Sequence, residues 1–91
     1  DRESAAKIAL EVAYDLFKLT LGNNELAGKH LSSNIYELSL TSDARITISA
    51  SHNIEYSVYD EKWELLELQD GAYVISKDAK YFIVARRGEC F

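Results

Sequence analysis

The sequence predicts an α+β fold: an N-terminal amphipathic helix packed on a mainly antiparallel sheet of about five strands in a meander. Three observations carry this expectation. Apolar residues recur at spacings of three and four over the first twenty positions. Beyond Asn34 the spacing changes to two. Asp70-Gly71 and several short polar clusters punctuate the alternating stretch.

The helix is read over 1–20. Ala5, Ile8, Ala9, Val12, Leu16 and Leu19 form one stripe, widened by Ala13 and Phe17, while Glu3, Lys7, Glu11, Asp15 and Lys18 fill the opposite side. Asp1 or Ser4 serves as the cap, Glu3 and Lys7 form a favourable i, i+4 pair, and Gly22-Asn23-Asn24 supplies the stop. The segment 22–33 fits either a short helical turn or a loop. After it, Tyr36, Leu38 and Leu40 alternate with Glu37 and Ser39, and Ile46, Ile48 and Ala50 with Arg45, Thr47 and Ser49. Ile54, Tyr56 and Val58 alternate with Glu55, Ser57 and Tyr59. Turns are expected at 41–43, 51–53 and 77–79.

Residues 62–68 are good helix formers, and Asp60 is a suitable cap. The Asp70-Gly71 hairpin signal and the strand 72–76 beyond it nevertheless favour a strand there. In the last strand, from Lys80 to about Arg86, Tyr81, Ile83 and Ala85 face one way and Phe82 and Val84 the other, so a central position is expected. The helix-then-meander order is similar to that of cystatin-like folds. The Gln-x-Val-x-Gly loop of that family is missing, so nothing is carried over from it.

The 91 residues suit one domain, 1–91, and the 47% hydrophobic content is that of a globular chain. No apolar run reaches the roughly 20 residues a membrane helix needs. No signal peptide is visible, and Asp1 with no Met anywhere leads to the expectation that the start is not the translated one or that the initiator has been removed. The single cysteine, Cys90, excludes an internal disulfide and favours a reducing, cytoplasmic setting. Fifteen acids against ten bases give a net charge of −5, which disfavours nucleic acid and suits a basic protein partner. Six acids (Glu55, Asp60, Glu61, Glu64, Glu67, Asp70) and one base (Lys62) lie between positions 55 and 70. The bases Lys77, Lys80, Arg86 and Arg87 gather at the other end. There is no Pro to blunt a sheet edge, so pairing of edges into a homodimer is an expectation as well.

No catalytic motif is present, and the expectation is a protein that is not an enzyme and holds neither cofactor nor metal. Cys90, His30 and His52 lack the spacing of a zinc site, and Cys90 stands too near the end of the chain for a placed nucleophile. A carboxylate pair at Glu64 and Glu67 flanking an aromatic has the composition of a glycosidase site, but a solvated strand face explains it more simply. The acids lack the calcium-loop pattern, and the four glycines form no phosphate loop.

The expected function is therefore a small protein-interaction or inhibitor-type module. Its binding face is a sheet surface bearing Tyr59, Glu61, Trp63, Glu64, Glu67 and Asp70, which meets a basic partner. In composition alone, the chain is similar to small acidic immunity or anti-defence proteins. Two alternatives stand beside this. One is a small-molecule pocket between helix and sheet, using Tyr14 or Tyr36. The other is a nucleic-acid regulator using the C-terminal bases with Tyr81 and Phe82.

Overall fold

In a computed structural model the described residues are 6–15, 18–22, 28–50 and 53–88. They form eight strands: β1 (Ala6–Asp15), β2 (Lys18–Gly22), β3 (Gly28–Ser32), β4 (Ile35–Ser39), β5 (Ala44–Ala50), β6 (Ile54–Asp60), β7 (Tyr73–Ile75) and β8 (Lys80–Arg87). Among the described residues there is no helix, so the expected α+β class is corrected to an all-β one. Among the described residues no helix is long and apolar enough to cross a membrane.

The N-terminal correction has a clear cause. A period of two runs through the same residues as the helical stripe. Leu10 and Val12 are 2% and 0% exposed and Ile8 is half-buried, while Lys7, Ala9 and Glu11 between them are exposed. Leu10 is not among the residues of the helical stripe read from the sequence, yet it is buried in the core. Side chains 13–20, which include Leu16, Phe17 and Leu19, lie outside the described residues, as do Asp1 to Ala5.

The strands form two sheets. One has the order β2-β1-β5-β7, the other β3-β4-β8-β6. All pairs are antiparallel except β1 with β5, where Ala6 to Val12 run parallel to Ala44 to Ala50. The mainly antiparallel character is thus present, but the meander is not. After the β3–β4 hairpin the chain steps from one sheet to the other at every connection. The turns at 41–43 and 77–79 lie where the sequence places them. They join strands that face each other across the core and do not pair side by side. Residues 51 and 52 lie outside the described set, and Asn53 beside them has a left-handed φ of 70°.

The two inner faces share one core. The β1–β5–β7 sheet contributes Leu10, Ala44, Ile46, Tyr73 and Ile75; the other contributes Leu38, Val58, Tyr81 and Ile83. Val12 and Ala85 continue the core towards Ile48, Ile54 and Tyr56. This is a β-sandwich, each sheet hiding one face on the other. As expected, β8 is internal, between β4 and β6, with Tyr81, Ile83 and Ala85 turned inward.

Two further expectations are corrected. The segment 22–33 contains β3, an exposed edge strand paired to β4. The segment 62–68 is neither strand nor helix: only Leu65 makes an isolated bridge, to Tyr59. It folds back because Asp60 captures it. The Asp60 carboxylate accepts the backbone N–H of Lys62 at 2.9 Å and of Glu64 at 3.0 Å, so the chain turns at once. The Asp70-Gly71 signal is real but local. Positive φ at both residues (53° and 82°) makes a type I′ turn, closed by the two hydrogen bonds between Gln69 and Ala72.

Candidate functional site

The site is built outward from β8. With Tyr81 and Ile83 in the core, Phe82 must emerge on the outer face of its sheet. Its register partner there is Tyr59 on β6. A large ring on an outer face would be left wet, yet Phe82 is only 7% exposed. The cover is Trp63, whose ring lies parallel to Phe82 with centroids 4.1 Å apart and 5° between planes. Tyr59 closes the group at 5.6 Å from Trp63, tilted by 45°.

Trp63 reaches this place through a five-residue loop. The Asp60 N–H donates to the Glu64 carbonyl at 2.9 Å, and the Trp63 N–H donates to the Asp60 carbonyl at 2.9 Å. Within this loop Trp63 takes a φ of 61°, which a bulky residue rarely adopts. The chain then runs back along β6, where the Leu66 N–H donates to the Val58 carbonyl at 2.8 Å and Leu66 packs against the core. The free edge of β6 is thereby covered.

The result is an apolar surface that remains open. Trp63 is 49% exposed although one of its faces is occupied, and Leu65 and Leu68 are 61% and 54% exposed. Glu61, Glu64 and Glu67 are exposed in the same loop, and none forms a salt bridge among the described residues. Beside the aromatic group, a groove of about 360 Å³ is lined by Glu55, Tyr56, Ser57, Tyr59, Val84 and Arg86, with Arg86 bound to Glu55 at 2.7 Å.

Of the six residues expected from sequence, the structure brings Tyr59 and Trp63 into contact and strings Glu61, Glu64 and Glu67 around them. Asp70 is elsewhere. It lines a cavity with Lys7 and Arg45 on the outer face of the other sheet. Phe82 was missed as a partner of Trp63, because only the register of β6 against β8 puts it beneath the indole.

The residues of the alternatives are placed as follows. Among the described residues no helix is present to form a pocket against the sheet, and Tyr36 packs edge-on to His30 at 5.3 Å; the Tyr14 side chain lies outside the described residues. Tyr81 faces the core and Phe82 lies under Trp63, so neither ring offers a base a stacking face. Cys90 and His52 lie outside the described residues. Among the described ones, no three His, Cys, Asp or Glu residues are grouped to hold a metal ion.

Compared with known proteins, the chain matches no family, no curated protein and no solved structure.

Proposed function

We propose that this protein is an interaction module that docks a basic protein partner on the Trp63 face. The observation that carries this is the loop 61–68. It holds three large apolar side chains in water (Trp63, Leu65 and Leu68) and intersperses them with three exposed carboxylates that form no salt bridge among the described residues. A folded domain gains nothing in stability from exposing an indole at a strained backbone position. A partner that buries the indole gains a flat aromatic anchor already held in place by Phe82. The carboxylates would steer a cationic surface towards it and disfavour an acidic one. The Tyr59 groove beside it extends the contact along the outer face of the sheet. Neither alternative finds comparable support, since the aromatic rings of one are covered and the described residues include no helix for the other.

The test compares three immobilised baits in lysate of the native host: the wild type, Trp63→Ala, and the triple reversal Glu61→Lys, Glu64→Lys and Glu67→Lys. We expect one stoichiometric basic protein on the wild-type bait, eluted by rising salt. It should be depleted at least tenfold on each variant. Equal recovery on all three baits would refute the proposal.

A further inference from the structure

The outer face of the other sheet carries a different feature. Lys7 on β1 and Arg45 on β5 are direct register partners, as are Ala9 and Thr47 next to them. Leu10 and Ile46 point into the core from the same strands, so all four side chains lie outside. The Asp70-Gly71 turn and Ala72 wall this patch into a cavity of about 470 Å³, within the size range of small-molecule sites.

Its charge is unusual for the molecule. The chain has 15 acids and 10 bases, yet two cations stand side by side here, and neither forms a salt bridge with a described carboxylate. Like charges at paired positions repel and destabilise the strand pair. Arg45 is nevertheless half-buried as a residue, and its guanidinium is fixed at the surface, one nitrogen donating to the Gln69 carbonyl at 2.7 Å. That single bond leaves most of its planar fork of donors unused. Thr47 adds a hydroxyl to the lining, and Ala9 leaves room above the strands.

We infer that this cavity binds the oxyanion of a small molecule, a carboxylate or a phosphate, between Lys7 and Arg45 with Thr47 as a further donor. Bound there, the anion relieves the repulsion between the two cations and engages arginine donors that the fold leaves spare. The Asp70 carboxylate on the wall sets a limit. It favours a ligand of low charge and opposes a polyanion such as nucleic acid. The site lies on the opposite sheet from Trp63 and does not depend on the docking surface.

The experiment is a titration of the ¹⁵N-labelled protein with sodium phosphate and, separately, sodium acetate, each against sodium chloride at matched ionic strength. Expected are saturable shifts of the Lys7, Arg45, Thr47 and Gly71 amides with one or both oxyanions and not with chloride. The tighter of the two names the group. Lys7→Gln and Arg45→Gln should each weaken binding about tenfold, and Asp70→Asn should tighten it. Lys7→Gln should also melt no lower than the wild type, since it removes a repulsion, so that loss of binding is not loss of fold. Three results would overturn the inference: no saturable shift with either oxyanion, shifts that chloride reproduces, or binding unchanged in both cation variants.

Discussion

At Trp63 the backbone takes a conformation that costs on the order of 1–3 kcal/mol for a residue with a side chain. Two local interactions oppose that cost. The parallel stack on Phe82 contributes roughly 0.5–1.5 kcal/mol beyond area burial, and the Asp60 carboxylate holds the loop through two backbone N–H groups. Trp63→Gly and Trp63→Ala lose the same stack, but only glycine is relieved of the strain. Urea denaturation should therefore find the glycine variant more stable than the alanine one by about 0.5–1 kcal/mol, the reverse of the usual order. An alanine variant of equal or greater stability would show that Trp63 is not strained. Asp60→Ala should cost about 1 kcal/mol and expose the indole, seen as a red shift of the emission from the chain's only Trp. An unshifted emission would show that the carboxylate does not set the loop. At this scale much was legible. The sequence singles out Tyr59 and Trp63 together, and their rings are in contact. The floor beneath them was not legible, because the contact of Trp63 with Phe82 depends on which strands pair.

Strands and turns were legible from period and punctuation, but not their partners. β4, β5, β6 and β8 lie where alternation places them, since Leu38, Ile46, Val58 and Ile83 each face a core. β1 was not legible. Its alanines, Leu10, Lys7 and Glu11 favour a helix locally, and its burial comes from pairing with β5, more than thirty residues away. Turn residues state that the chain reverses. They do not state whether the next strand lies about 4.8 Å away in the same sheet or about 10 Å away in the facing one. β3 escaped notice because all five of its residues are exposed, which leaves no alternation to read. Its pairing has a specific requirement. A Cβ on Gly28 would run into the Glu37 carbonyl oxygen and the Tyr36 ring on β4. Gly28→Ala should therefore loosen the β3–β4 pair, costing about 1–3 kcal/mol and raising hydrogen exchange in β3. Unchanged exchange there would contradict this pairing.

Seen whole, the molecule is a sandwich with two unlike outer faces, one acidic and aromatic, the other with paired cations over a cavity. Its core also contains phenols. Burial raises the pKa of Tyr36 and of Tyr73 above the ordinary 10.0, and at Tyr73 the neighbouring Tyr56 phenol adds to the effect. A raised folded pKa means that the folded state keeps its protons longer than the unfolded chain. Stability should be undiminished by these groups below pH 10 and should fall as the pH rises past it. Tyr73→Phe should blunt that alkaline loss; an identical loss would exclude Tyr73 as its source. Trp63 reports directly on the proposed docking face, because no other indole contributes. The decisive measurement is the Trp63 emission as the basic protein recovered on the wild-type bait is titrated in at low salt. A saturable blue shift, reversed by added salt, is the result predicted. Binding with the emission unmoved would place the partner elsewhere and contradict the account.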